Sequence, residues 1–347
     1  MVKDLRDFDR QDMEDLIAEL REPKYRSNQL FQWVHKHGAE LVDEMTNLPL
    51  SLRSKIRERA DIFHPKVLEK LTSKKDNTIK MLLEFSDGET VESVIMPNEA
   101  KKRCTVCVST QVGCPVGCPF CASGSSGFIR NLRTGEIVSQ VLIAKSMEKD
   151  ETWKVTNVVF MGMGEPLLNY DAVLKSVRIL NDPLGLNIGQ RKITISTAGY
   201  VPGILKLAEE KLQVVLAVSL HSVENEVRDF LVPLNKKYPL EELAWALKEY
   251  SKKSGRRITF EYSLIEGLND TIECAEKLAA FVSQFKANVN IIPLNPVDEF
   301  GFKRSSSSKI QNFAAVLRNK GVETSVREER GLDIEGACGQ LRLRYLQ

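Results

Sequence analysis

The sequence predicts an α/β protein: a part-barrel of about six strand–helix units, preceded by a small helical unit and a β-hairpin extension. Three observations carry this. After about residue 104, β-branched apolar runs alternate with segments of helical period, the order that builds a parallel sheet with helices outside. Polar, glycine-containing motifs stand where those runs end, as in barrels whose site lies at the C-terminal ends of the strands. Residues 1–62 show a helical period alone.

In chain order, Asp9 is the expected N-cap of a first helix, with Met13, Leu16, Ile17 and Leu20 on one face. Ser27 to His37 reads as a second helix closed by Gly38, with Leu30, Phe31 and Val34 facing inward. Pro49 opens a third, burying Leu52 and Ile56 and presenting Arg53, Lys55, Arg57 and Arg59 outward. That basic face reads either as plain solvated surface or as a contact for RNA phosphates. Residues 63–103 form the extension, where Met81 to Phe85 and Thr90 to Met96 are strands joined across Asp87-Gly88. Glu92 is placed at its border with the next domain. Residues 104–347 form the part-barrel and its tail. There the expected helices are Ile137 to Met147, capped by Thr134, and Ala172 to Leu180. The expected strands are Val155 to Gly162, Lys192 to Thr197, Val214 to Leu220, Ile258 to Leu264, Val289 to Leu294 and Val322 to Arg327.

Composition narrows the class without choosing a partner. Lys plus Arg number 49 against 47 for Asp plus Glu, so net charge selects neither nucleic acid nor membrane. No apolar run approaches the ~20 residues that span a bilayer, and the N-terminus has no apolar signal segment. Seven cysteines, three of them in one loop, fit a reducing cytoplasm better than a disulfide framework.

That loop is the chemical centre. Cys114, Cys118 and Cys121 follow C-x3-C-x2-C, and no cysteine or histidine follows within the next forty residues. Zinc in a structural site wants four ligands. Three thiolates suit a [4Fe–4S] cube with one open iron, or a zinc loop completed from elsewhere in the chain. Gly164 and Glu165, in VVFMGMGEP, bring a close backbone turn and a carboxylate acceptor after the next strand. Ser196, Ser219, Leu220 and His221 end the following two strands, and Asn295 ends a later one. A lone histidine there is as readily a satisfied structural group as a ligand. Cys104 and Cys107 form a CxxC in a β-like run. Their odd spacing points them to opposite faces, so one of them is structural and only one can face a site. Cys338, between Ala337 and Gly339, stands on a flexible, exposed-looking tail.

Taken together, CVSTQVGCPVGCPFCASG, FMGMGEP, STAG, SLH, IPLNPV and DIEGACGQL resemble the radical S-adenosylmethionine RNA adenine methyltransferases of the RlmN type, over essentially the whole chain. The resemblance implies a radical-SAM partial (β/α)6 barrel, a [4Fe–4S] cluster on Cys114, Cys118 and Cys121, and two S-adenosylmethionine molecules per turnover. Gly164, Glu165, Ser196, Ser219, Leu220, His221 and Asn295 are the implied contacts for that cosubstrate. It implies methylation of Cys338, a 5′-deoxyadenosyl radical that takes hydrogen from that methyl, and addition to C2 of an adenine. Glu92 is then the proton acceptor. Cys107 resolves the adduct by a transient disulfide with Cys338. The implied partners are 23S rRNA, tRNA at the adenosine next to the anticodon, and a flavodoxin-like reductant, with no membrane and no stable protein partner. Lys101, Lys102 and Arg103, and the run Lys252, Lys253, Arg256 and Arg257, are candidate phosphate contacts or plain surface. The competing readings are C8 methylation within the same family and a non-catalytic RNA-binding protein with a metal loop.

Overall fold

The computed structural model describes residues 2–148, 152–295 and 301–342. The N-terminal unit opens with β1 (Lys3–Asp4). The helix α1 (Arg10–Glu19) starts where expected: Asp9 accepts from the amides of Gln11 and Asp12, and Asp12 accepts from the Asp9 amide at 2.9 Å. This reciprocal cap satisfies donors that a helix start leaves unpaired. The next helix, α2 (Tyr25–Gln32), begins two residues before Ser27 and widens into a π turn, Trp33–His37, ended by Gly38. Then come α3 (Leu50–Arg57) and β2 (Ala60–Asp61), which pairs in parallel with β1. Met13, Leu16, Ile17, Leu30, Phe31, Val34, Leu52 and Ile56 are all buried.

The extension holds three strands, not two: β3 (Lys66–Thr72), β4 (Ile79–Glu84) and β5 (Thr90–Asn98), all antiparallel. The extra strand, β3, is an edge strand with charges on a largely exposed surface, so no buried alternation marks it in the sequence. Strand β5 pairs antiparallel with β6 (Arg103–Cys107), and β6 opens the parallel part of the same sheet. After β6 a short hairpin, β7 (Gln111–Gly113) and β8 (Phe128–Asn131), brackets the three-cysteine loop and the short helix α4 (Ala122–Ser125).

Strand and helix then alternate as expected: α5 (Thr134–Ser146), β9 (Lys154–Phe160), α6 (Tyr170–Asn181), β10 (Ile193–Thr197), α7 (Val201–Glu209) and β11 (Val215–Ser219). They continue with α8 (Asn225–Leu231), α9 (Leu240–Ser254), β12 (Ile258–Leu264), α10 (Ile272–Val282), β13 (Ala287–Pro293), α11 (Ser307–Asn319) and β14 (Thr324–Val326). The ten-stranded sheet runs β14-β13-β12-β11-β10-β9-β6-β5-β4-β3. From β6 through β14 every pairing is parallel, so the ends of those strands gather on one side.

One expected cap is corrected. Thr134 is the first residue of α5, and Arg133 holds the cap position. Two carboxylates serve this start: Glu136 accepts from the Arg133 amide at 2.7 Å, and Asp7 of the N-terminal unit accepts from the Gly135 amide at 2.6 Å. Anions favour a helix N-terminus. The remote cap, with Arg6 Nη1 donating to Ser139 Oγ at 2.8 Å, ties the N-terminal unit to the part-barrel.

Candidate active site

Cys114, Cys118 and Cys121 are half-buried on one loop. Gly124 makes that loop possible: a Cβ there would stand 2.8 Å from both the amide nitrogen and the carbonyl oxygen of Cys118. Burial pushes the Cys118 thiol well above its usual range, with further repulsion from Cys121 and Cys114. Burial likewise pushes Cys114 up to about 12. A bound cation would displace their protons and hold them as thiolates. Among the described residues no three His, Cys, Asp or Glu side chains converge on a single ion. Three thiols on one loop match the three protein-held corners of a cube with one open iron, whereas a structural zinc site takes four protein ligands.

The three cysteines share a cavity with Gly164, Glu165, Ser196, Ser219, His221, Glu261, Asn295, Arg327 and Cys338. Gly164 has φ +102°, and a Cβ there would lie 2.7 Å from Gln111 Cβ, so only glycine fits the turn. Glu165 is buried. Its Oε2 accepts from the Ala198 amide at 2.6 Å and its Oε1 from the Leu167 amide at 3.1 Å. Burial raises its pKa to about 7, against the pull of those amides. A cationic ligand in the cavity would restore the carboxylate. Asn295 Oδ1 is buried without a hydrogen-bond partner, an acceptor free for a ligand donor. These features fit an amino-acid-bearing cosubstrate beside a cluster.

Two expected ligands are used differently. His221 stands at φ +57°, and its Nδ1 accepts from the Ser263 amide at 3.0 Å. Burial lowers its pKa to about 3, so the ring is neutral, and it meets the Phe120 ring edge-on at 5.0 Å. The structural role is therefore filled, while the ring still lines the cavity. Asn295 Nδ2 donates to the Cys338 carbonyl at 2.9 Å, so one half of the amide holds the tail. Leu220 is fully buried and acts through its backbone.

Cys338 is half-buried and docked rather than loose. Gly339 O accepts from the Ala122 amide at 2.8 Å, and Leu341 O accepts from Ser123 Oγ at 2.5 Å. The tail thus folds onto the cysteine loop. A second cavity lies on its other side, lined by Cys107, Met161, Arg327, Arg330, Cys338 and Arg103 among others. Cys338, Met161, Ile292, Asn295 and Arg327 line both cavities. Cys107 faces this second cavity and Cys104 does not, as their register against Val94 and Pro97 requires. Burial pushes both thiols up to about 12.

Glu92, the third residue of β5, is only 1% exposed and stands against the part-barrel, its carbonyl accepting from Ser109 Oγ at 2.6 Å. Its Oε1 pairs with Lys80 Nζ at 3.1 Å, and its Oε2 accepts from the Arg342 amide at 3.0 Å. It lines neither cavity; the docked tail covers it.

Sequence reasoning missed three site residues. Arg327 lies beside Cys338 and Cys107, 3.6 Å from Glu261 Oε2, and these neighbours, Cys338 first, favour its charged form. Buried Arg228 donates to the carbonyls of Leu220, Ala198 and Ser219 and to Asn235 Oδ1, strapping the ends of β10 and β11. Lys80 is the third. No helical or strand periodicity marks any of them, because each is held in part by a partner remote in sequence: Glu261 for Arg327, Ala198 for Arg228 and Glu335 for Lys80.

Of the basic groups, Arg103 lines the mouth of the second cavity, and Lys101 and Lys102 beside it are exposed. Lys55 pairs with Glu22, and Arg57 pairs with Asp43, which neutralises part of the α3 face. The run Lys252 to Arg257 ends α9 and precedes β12, at the opposite end of the strands from the site.

Comparison with known proteins agrees with this geometry. Residues 108–282 match the radical SAM superfamily, and residues 3–62 match a ribosomal RNA large subunit methyltransferase N-terminal domain. A probable dual-specificity RNA methyltransferase RlmN from Thermotoga maritima is 49% identical over 346 residues, 100% of this chain and 99% of its own. A protein of the same description from Syntrophomonas wolfei is 45% identical over 350 residues, covering 99% and 98%. The crystal structure of a radical SAM methyltransferase from Sphaerobacter thermophilus superposes with a TM-score of 0.93 at 44% identity, over 98% and 99%. Because these likenesses span the N-terminal unit, the cysteine loop and the Cys338 tail alike, the chain belongs to the RlmN-type radical SAM RNA methyltransferases, enzymes that work with a [4Fe–4S] cluster and S-adenosylmethionine.

Proposed function

We propose that this chain methylates C2 of an adenosine in 23S rRNA, and of the adenosine next to the anticodon in tRNAs, through a methyl group carried on Cys338. One observation carries the reading: Cys338 is a wall common to the cysteine cavity and to the second cavity, where Cys107 waits. A carrier needs access to both a methyl source and an acceptor base.

Cys114, Cys118 and Cys121 would hold the cluster, and Glu165, Ser196, Ser219 and Asn295 the cosubstrate. When bound, these groups supply the methyl and the one-electron chemistry that an electron-poor aromatic C–H carbon demands. The remaining work belongs to the chain. The tail positions Cys338 between the cavities, and the target adenine leaves its stack to enter the second one. Glu92 takes the proton from the adenine adduct once the Arg342 backbone lifts away. The Cys107 thiolate then attacks the Cys338 sulfur. The sulfur–carbon bond breaks with its electron pair passing to the product methylene, which takes up a proton to become the methyl group, and a Cys107–Cys338 disulfide forms, which a thiol reductant must reopen. Arg103 and its exposed neighbours Lys101 and Lys102 meet RNA phosphates at the mouth. A flavodoxin-like carrier supplies electrons, and the setting is the cytoplasm. Among the described residues no helix is long and apolar enough to cross a membrane.

Nucleoside mass spectrometry tests the regiochemistry. With adenosine deuterated at C2, the methylated product loses that deuterium. Retention of the label with a methyl gained places the reaction at C8 and overturns the proposal. No methylated base at all favours the non-catalytic reading.

A further inference from the structure

A fully buried ion pair is an expensive thing to keep. Desolvation consumes much of its Coulomb gain, and well-packed apolar residues often serve stability as well. Lysine is almost never fully buried unless paired. Lys80 and Glu92 are only 2% and 1% exposed. They sit on adjacent strands of the extension: Glu92 lies opposite Leu82, and Lys80 is two residues away on the same face. Their 3.1 Å contact satisfies one oxygen of Glu92 and one proton of Lys80. A second bond from each partner reaches one and the same loop. Lys80 Nζ donates to the Glu335 carbonyl at 3.3 Å, and Glu92 Oε2 accepts from the Arg342 amide at 3.0 Å. Glu335 and Arg342 are the two ends of the loop that carries Cys338. They also meet each other, Arg342 Nη2 lying 3.6 Å from Glu335 Oε2. The pair therefore clasps the loop at its base, while Ala122, Ser123 and Asn295 hold its crown.

We propose that Lys80 is a positioning residue: with Glu92 it forms a buried latch that docks the Cys338 loop for methyl loading. The same latch keeps Glu92 covered until RNA displaces Arg342. Loading and proton removal are thereby kept apart in time, because the carboxylate is engaged by the tail whenever the tail is docked. This rests on the reading of Cys338 as the methyl carrier, but the latch itself is a property of the folded chain and is measurable without any cofactor.

The experiment is hydrogen exchange on the full-length protein without cofactors, compared across the unmodified chain, Lys80→Met and Lys80→Arg. Lys80→Met is expected to raise exchange over residues 335–342 by about ten- to a hundredfold, the factor set by losing hydrogen bonds to charged groups. Exchange in the central parallel strands stays unchanged. Lys80→Arg regains part of the protection. In the loaded enzyme, the yield of methyl on Cys338 falls with the same ranking. Where Lys80→Met leaves too little folded protein, Lys80→Met with Glu92→Leu removes both buried charges and is expected to show the same loosened loop. Unchanged exchange over residues 335–342 in Lys80→Met or in the double variant overturns the latch. So does a rise spread evenly over the whole sheet. A loosened loop together with an unmodified chain that never gains a methyl on Cys338 leaves the latch standing and sinks the carrier reading instead.

Discussion

Cys107 and Cys104 are three residues apart on one strand, yet only Cys107 faces the cavity it shares with Cys338. Replacing each with alanine separates chemistry from packing. Cys104→Ala deletes one fully buried sulfur far from the reacting atoms, at a cost of about 1–2 kcal/mol of stability and no change in product. Cys107→Ala removes the nucleophile that frees the RNA, so the adduct through Cys338 accumulates toward one per protein. The adduct is read as a shifted, ribonuclease-sensitive band on a denaturing gel. The structure also sets the pH dependence of release in the unmodified enzyme. Burial pushes Cys107 up to about 12, with lesser repulsion from Cys338 and relief from Arg327. Thiolate at pH 8 is then about one part in ten thousand, and each unit of pH raises it about tenfold. Once Cys338 carries an alkyl group it bears no charge, so its repulsion vanishes and the profile levels off below 12. Release from a pre-formed adduct therefore accelerates from pH 7 to 9. A flat profile, or a band from Cys104→Ala and none from Cys107→Ala, refutes the assignment.

Four further outcomes are expected. Cys118→Ala loses the cluster, seen as loss of the broad absorption near ~400 nm after anaerobic reconstitution; an intact spectrum contradicts the ligand set. Glu92→Gln still gains a methyl on Cys338 but slows RNA turnover by about 10²- to 10⁴-fold, the usual worth of a positioned base; unaltered turnover removes Glu92 from the mechanism. Gly164→Ala places a methyl 2.7 Å from Gln111 Cβ at φ +102°, and is expected to lower apo-protein stability by about 2–5 kcal/mol in a denaturant melt. Glu165 is neutral below its raised pKa of about 7, and a ligand ammonium needs the carboxylate. Affinity for S-adenosylmethionine by equilibrium dialysis should therefore climb with pH through 7, by up to about tenfold per unit on the acid side. Glu165→Gln should flatten that climb.

The parallel strands were legible as β-branched or apolar runs, from β12, buried along its whole length, to β10, buried at alternate positions, and the cysteine loop because its spacing is local. Asp9 was legible as a cap for the same reason: its partners are two and three residues away. Strand β3 was not, since an exposed edge strand needs no apolar alternation. The cap of α5 was misplaced by one residue because half of it comes from Asp7, 128 positions upstream. His221 shows the limit most plainly. Its place after a strand marked it correctly as a cavity residue, but the Ser263 amide that occupies its Nδ1 is 42 positions away. Lys80, Arg228 and Arg327 share that difficulty. Each is an unremarkable basic residue until distant carbonyls, carboxylates and thiols close around it.

The hydrogen bonds from Ala122 and Ser123 to Gly339 and Leu341 make the Cys338 tail a roof over the three cysteines. If Cys338 is the carrier proposed above, whatever lifts that roof to bring it to a base would also open to dissolved oxygen the cluster that the three cysteines would hold. Catalysis and corrosion then share one gate. In air, the lifetime of such an enzyme is counted in openings rather than in hours, and an idle molecule with its tail docked outlasts a busy one.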